Sequence, residues 1–328
     1  MMDHHTSHPV LKRRNFLTGA GALAAVGFGA KAWSDHDERR NRAEVFVARA
    51  ASYTDDLERI IRDGLLALGL NPGWAAGKSV LLKPNLVEPS TEAPHINTHP
   101  LMVRAAADVF RSWGAREVVV AEGQGHCRDT EYVLEQSGLG SVLSEAKLSF
   151  LDLNHDEVWA TPNRSRYTNM KELWLPEALL RADIVVSMPK MKTHHWAGVT
   201  LSMKNLFGVM PGIVYGWPKN VLHHAGIPQS ILDINAAVKP SLAIVDGIVA
   251  MEGDGPIMGT PRKAGVIIIG ANPAAVDATA TRLMGIDPWH ISYLAAASGR
   301  LGPIAENHIE QRGEAIGPLV QHFQVLSM

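Results

Sequence analysis

Lysines, histidines and carboxylates recur in this chain at one kind of place, immediately after short apolar runs. Leu81-Leu82 leads into Lys83-Pro84-Asn85, and Val119-Val120-Ala121 into Glu122-Gly123-Gln124-Gly125-His126. Val185-Val186-Ser187-Met188 leads into Pro189-Lys190-Met191-Lys192-Thr193-His194-His195. Ile244-Val245 passes to Asp246-Gly247 and then Glu252-Gly253-Asp254-Gly255-Pro256, and Ile267-Ile268-Ile269 to Gly270 and a stretch carrying Asp277. One such cluster alone is explained by a turn, which favours Gly, Pro, Asn and Asp. Turns do not require Lys and His after one run after another, so the coincidence of five clusters points to a shared site.

Two chemistries fit these residues. Lys83, Lys190, Lys192 and Lys204, with Asn85 and Asn205 beside two of them, form a set of cations and amides suited to an anionic small molecule, a phosphate or a carboxylate. Lysines gathered in a partly desolvated cleft repel one another and shed protons unless an anion balances them. His126, His194, His223, Glu122, Asp246, Glu252 and Asp277 are a mixed nitrogen and oxygen set, suited to a divalent metal or to acid–base work. Within it, His194, Glu122 and Asp246 are assigned to catalysis and His126, His223 and Asp277 to a metal. Their spacing matches no compact metal motif, so both assignments rest on the runs converging in space, and the cofactor stays open.

Several familiar sites are excluded. Gly73-Trp74-Ala75-Ala76-Gly77-Lys78-Ser79 is one residue short of a phosphate-binding loop, has Pro72 where the first glycine belongs, and precedes an apolar run instead of following one. Gly123-Gln124-Gly125 lacks the third glycine of a dinucleotide fingerprint, and neither Gly-x-Ser-x-Gly nor His-Glu-x-x-His occurs. The single cysteine, Cys127, excludes an internal disulfide and an iron–sulfur cluster carried by this chain alone.

The elements that must position these residues are legible in the pattern. Ser79–Leu82, Glu117–Ala121, Leu148–Leu153, Ile184–Met188, Leu242–Val245 and Val266–Ile269 are short, nearly continuous apolar segments. Segments of that kind fit strands buried on both faces, as in a parallel sheet covered by helices. Helical periodicity runs through Leu57–Leu68, Leu101–Trp113, Thr130–Gln136, Gln229–Val238 and Ala274–Met284. The expected fold is an α/β three-layer sandwich, a mainly parallel sheet with helices on both faces, over residues 53–328. In such sheets the ligand crevice lies beyond the carboxyl ends of the strands.

The beginning of the chain reads as an address. Lys12-Arg13-Arg14-Asn15-Phe16-Leu17 opens an apolar run, Leu17 to Gly29, of signal-peptide length, and Ala30-Lys31-Ala32 supplies a small-x-small cleavage site. Residues 1–32 are therefore expected to be a twin-arginine signal peptide read by that export machinery, and polar residues 33–52 a linker. The protein is expected in the periplasm or outside the cell, with no membrane span after cleavage. Removing residues 1–32 from the 328 takes the formal net charge from -2 to about -5, which argues against nucleic-acid binding.

At these residues the chain resembles the domain of unknown function family 362. The resemblance is carried by Lys83-Pro84-Asn85-Leu86, Glu122-Gly123, Pro189-Lys190-Met191-Lys192-Thr193-His194, Lys204-Asn205-Leu206-Phe207-Gly208, Asp246-Gly247, Glu252-Gly253-x-Gly255-Pro256 and Ala275-Val276-Asp277-Ala278. It spans about residues 78–300 and implies no reaction. Many relatives carry ferredoxin-like cysteine clusters after the domain, where this sequence has none. The order of a Gly-rich loop ending in His126-Cys127-Arg128-Asp129-Thr130, followed by a basic His-bearing loop, is similar to that of nickel-pincer lactate racemases. The expected function is an exported enzyme that binds an anionic small molecule or cofactor, metal-assisted or not. The alternatives are a non-catalytic ligand or metal carrier and an accessory partner of a redox complex.

Overall fold

The computed structural model describes residues 42–326. Its strands are β1 (Ala43–Arg49), β2 (Ser79–Pro84), β3 (Glu117–Glu122), β4 (Ser149–Asp152), β5 (Val158–Pro162), β6 (Glu172–Pro176), β7 (Ile184–Met188), β8 (Lys190–His194), β9 (Gly198–Thr200), β10 (Leu242–Glu252), β11 (Thr260–Gly270) and β12 (Ile309–Gly313). One sheet runs in the order β12-β1-β11-β10-β7-β2-β3-β4, with β8 pairing to β10 and β9 to β8; β5 and β6 form a separate antiparallel pair. The pairings β4-β3-β2-β7-β10 are all parallel.

Successive side chains of a strand go to opposite faces, and in the central strands both faces are apolar. Val80 and Leu82, Ile184 and Val186, and Ile267 and Ile269 enter one core, while Leu81, Val185, Val266 and Ile268 enter the other. Helices α1 (Leu57–Ala67), α2 (Pro100–Ser112), α3 (Thr130–Gln136) and α4 (Leu139–Ala146) supply the first core, through residues such as Ile61, Phe110, Val133 and Leu143. Helices α5 (Ile227–Val238), α6 (Pro273–Leu283) and α7 (Ser292–Ala297) supply the second, through Ile231, Val276 and Leu294. The result is an α/β sandwich with a mixed, mainly parallel sheet and helices on both faces. Among the described residues no helix is long and apolar enough to cross a membrane.

The structure departs from the sequence reading in two places. First, the segment 33–52 is not wholly a linker, because it contains β1. This strand sits between β11, antiparallel to it, and β12, parallel to it, and buries Val45 and Val47 completely. The charges Arg42, Glu44 and Arg49 hide a four-residue apolar strand core, Val45-Phe46-Val47-Ala48, in a polar neighbourhood. Second, β10 and β11 run well past their apolar runs and pair antiparallel as far as Glu252 with Thr260. The intervening residues 253–259 are too few for the crossover that a parallel pair needs.

The placement of β1 has a direct consequence. A chain beginning at Arg42 should unfold in urea at the midpoint of the chain beginning at Trp33. One beginning at Thr54 removes an interior strand and should show no cooperative transition.

Candidate functional site

The Lys-Met-Lys-Thr-His run becomes strand β8, and its period of two decides which residues reach the site. Lys190, Lys192 and His194 share one face, while Met191 goes to the core on the other. All five residues are buried. Two loops are clamped over this strand. In loop 85–99, Thr98 donates from Oγ1 to the Met188 carbonyl (2.6 Å) and accepts from the Asn85 amide (2.8 Å). In the Glu-Gly-Asp-Gly-Pro loop, the His195 amide donates to the Gly255 carbonyl (3.0 Å). A Cβ at Gly255 would run into the Thr193 carbonyl, which explains the glycine.

Between these elements lies a cavity of about 370 Å³. Of the residues singled out in the sequence, Lys83, Asn85, Glu122, His126, Lys192, His194, Lys204, Asn205 and His223 line it. Its centre is a buried ion pair. Lys83 Nζ donates to Glu122 Oε2 (2.5 Å), to Asn205 Oδ1 (2.9 Å) and to the Pro84 carbonyl (2.8 Å). Glu122 also accepts from the amides of Leu86 (3.3 Å) and Gly123 (3.0 Å). Burial pushes the Lys83 ammonium down and the Glu122 carboxyl up, and their mutual attraction opposes both shifts. Gly208 closes over the pair, where any Cβ would meet Glu122 Oε1 and Lys83 Nζ.

The other cavity lysines lack carboxylate partners. Lys204 lies 3.9 Å over the Phe207 ring and makes no hydrogen bond to another described residue. Burial, then the neighbouring Lys83, brings its ammonium down to about 7. Lys192 donates only to the carbonyls of Ile96 (2.9 Å) and Pro256 (3.0 Å), and burial, then Lys190 and Lys204, holds it well below the ordinary lysine range. His194 Nδ1 accepts from the amides of Trp196 (3.1 Å) and Ala197 (3.3 Å), so the neutral ring carries its proton on Nε2. Burial and then Lys204 push its pKa down to about 2, so at neutral pH His194 is a hydrogen-bond donor and a poor base. His223 lines the wall against Trp196 and Phe207. His126 Nδ1 faces Glu88 Oε1 (3.0 Å), whose other oxygen takes Arg128 (2.7 Å).

Four expected site residues lie elsewhere. Lys190 Nζ donates to Asp246 Oδ2 (2.6 Å) and to the Tyr53 hydroxyl (2.8 Å), which donates to Asp246 Oδ1 (2.9 Å). Asp246 further accepts from the His99 amide (2.9 Å), so this buried ion pair, with the half-buried Tyr53, clasps the start of α2 and the segment beyond β1 to the sheet. Asp277 accepts from the amides of Ser202 (2.7 Å) and Met203 (2.9 Å), capping the short helix Ser202–Asn205 that carries Lys204 and Asn205. Burial pushes its carboxyl up to about 7 against those bonds. Glu252 takes the Gln324 amide (3.0 Å) and holds the C-terminal segment. His126 and His223 line the cavity and Asp277 does not, so the three are not gathered at one place; among the described residues no three His, Cys, Asp or Glu side chains are grouped to hold an ion.

Two lining residues escaped the sequence reading. Lys219 is almost wholly buried, donates from Nζ to Asn154 Oδ1 (2.5 Å) and lies 5.1 Å from the Trp217 ring. Burial brings it down to about 8, against the pull of Glu122. Its backbone is left-handed (φ 73°), which costs a non-glycine residue on the order of 1 kcal/mol and marks a constrained position. Thr200 stands opposite Lys192 on β9, and its buried Oγ1 has no hydrogen-bond partner. Neither follows a central strand, so a rule based on strand ends could not reach them. The Trp-Pro-Lys sequence at 217–219 was the available signal for the first.

Residues 80–282 match the family described as a domain of unknown function, DUF362, and the chain belongs to that family. A thylakoid-associated protein of Synechocystis sp. is 30% identical over 232 residues, 69% of this chain and 68% of its own. Among solved structures, the lactate racemase apoprotein from Thermoanaerobacterium thermosaccharolyticum aligns with a TM-score of 0.47 at 15% identity, over 76% of this chain and 58% of that one. A protein from Thermotoga maritima aligns with a TM-score of 0.40 at 11% identity, over 73% and 61%.

The separation of structural from cavity carboxylates is measurable. Asp246→Ala leaves Lys190 buried without a counter-charge and should cost about 3–5 kcal/mol in urea unfolding. Asp254→Ala, which removes a half-exposed partner 3.5 Å from His195 at the cavity, should stay within about 0.5 kcal/mol of the parent. Equal losses would refute the distinction.

Proposed function

We propose that this protein is an exported enzyme whose cavity binds a small carboxylate or phosphate. The observation that carries the reading is a charge imbalance. Lys83, Lys192, Lys204 and Lys219 line the cavity against one buried carboxylate, Glu122, which Lys83 already engages. An anion seated beside Lys204 and Lys219 would restore the balance and raise both toward the charged form. Enzyme is favoured over a passive anion carrier by one group that capture does not require, Lys192, which is buried without a counter-charge and donates only to backbone carbonyls. In this reading Lys204 and Lys219 hold the anion, His194 donates a hydrogen bond to the reacting part of the substrate, and the Lys83–Glu122 pair fixes the loops.

Export by the twin-arginine route, with cleavage near Trp33, belongs to the same proposal. It is supported by Arg13-Arg14, the Leu17–Gly29 run and Ala30-Lys31-Ala32, all of which lie outside the described residues. Replacing Arg13 and Arg14 by lysine should trap the precursor in the cytoplasm on fractionation, and unchanged export would remove this part.

Calorimetry with inorganic phosphate and oxalate tests the site. Lys204→Ala should weaken binding about ten- to hundredfold, the loss of one charge-assisted hydrogen bond. The pH dependence follows from the free-state value of about 7 for Lys204. Below pH 7 the ammonium is already charged and affinity is flat; above it a proton must be taken up on binding, so affinity falls as pH rises. Lys219, at about 8, acts in the same direction. Lys83, Glu122, Lys192, His126, His194, His195, His223 and Asp254 also face this space, and because Lys204 helps hold Lys192, His194 and His223 down, Lys204→Ala lets those three return part of the way toward their ordinary values. Binding that is insensitive to Lys204, or that strengthens with pH, would overturn the reading.

A further inference from the structure

Lys192 differs from the other lysines that line the cavity and from Lys190 on the same strand. Lys83 has Glu122, Lys190 has Asp246, Lys219 has the Asn154 amide and Lys204 has the Phe207 ring. Lys192 has two backbone carbonyls and nothing else. An ammonium presents three hydrogens and an amine two, so two acceptors match the amine, with its lone pair left over. Directly across the β8–β9 ladder stands Thr200, and residues so paired keep their Cβ atoms about 5 Å apart on one face of the sheet. Thr200 is 4% exposed, lines the same cavity, and its hydroxyl is unpartnered. A buried hydroxyl without a partner is costly, and here it stands beside an amine whose hydrogens are both engaged.

We infer that Lys192 is a nucleophilic amine, and that the cavity takes a small anion bearing an aldehyde or ketone, which condenses with Lys192 while Thr200 holds the carbonyl oxygen. This rests on the anion-site reading of the same cavity. The Lys192 nitrogen bonds to the carbonyl carbon, and the carbon–oxygen bond breaks. The oxygen leaves as water with one amine hydrogen and one proton from solvent, and the nitrogen keeps its other hydrogen for the backbone carbonyls. The resulting iminium is cationic and sits among the ammoniums of Lys83, Lys190 and Lys204. The carboxylate or phosphate carried by the substrate offsets that charge, which is why the substrate must be an anion. A lysine desolvated beside other cations is a recognised way to obtain a reactive amine at neutral pH.

The experiment treats the exported protein with glyoxylate, an anion with an aldehyde, near neutral pH in the presence of cyanoborohydride, and maps the reduced adduct by peptide mass spectrometry. Phosphate binding is measured by calorimetry on the same preparation. The expected result is a carboxymethyl group concentrated on Lys192, suppressed by excess phosphate. Thr200→Val should slow the labelling about tenfold and leave phosphate affinity within twofold. Lys192→Met should abolish the adduct at this position without transferring it to Lys204. Label spread evenly over exposed lysines, or confined to Lys204, overturns the inference. If phosphate binds and Lys192 stays unlabelled, the amine inference alone fails; if phosphate does not bind either, the anion site fails with it.

Discussion

One buried ion pair, Lys83 with Glu122, organises the head of the sheet. The two residues lie at the carboxyl ends of adjacent parallel strands, β2 and β3, one position out of register with each other, and their side chains meet where the ladder stops. Neither has meaningful exposure, and a buried charge is tolerated only when its partner and its remaining hydrogen bonds are all in place. That requirement reaches outward. It fixes Asn205 on its short helix, the amides of Leu86 and Gly123 in two loops, and the bare backbone of Gly208 above. Asp277, capping the helix that carries Asn205 and Lys204, extends the same arrangement to the layer of α6.

A second buried pair, Lys190 with Asp246, sits near the first and does different work. Tyr53, stacked on His99 at 3.7 Å, shares its hydrogen bonds and ties the region after β1 to the start of α2. Charge is neutralised locally there, and the group stands apart from the cavity lining. The cavity has the opposite character. Its lysines outnumber its buried carboxylates, and Lys192 and Lys204 are satisfied by carbonyls and an aromatic face. Residues of one type, placed two positions apart on one strand, thus divide between holding the fold and lining the cavity.

The two loops over β8 share a further feature. Ile96 of one and Pro256 of the other each present a carbonyl to Lys192 Nζ. The amine therefore bridges segments distant in sequence, and movement of either loop would alter its surroundings. Lys219 draws in a third segment through Asn154, at the end of β4.

The apolar runs determined the fold class by themselves, because a strand buried on both faces must be apolar at every position, and such strands require helices above and below. Helix Thr130–Gln136 falls on the residues that its periodicity marks, and nine of the thirteen singled-out residues line one cavity. What sequence could not decide was how charges pair. Asp246 and Glu122 look alike as acids after a valine-rich run, yet the neighbouring strand offers one Lys190 and the other Lys83. Asp277 reads as a ligand until the fold brings two backbone amides to it. Strand β1, concealed among charges, is recognisable only from the partners on either side. Lys219 and Thr200 enter through a loop and a short edge strand, which belong to the site only because tertiary packing puts them there.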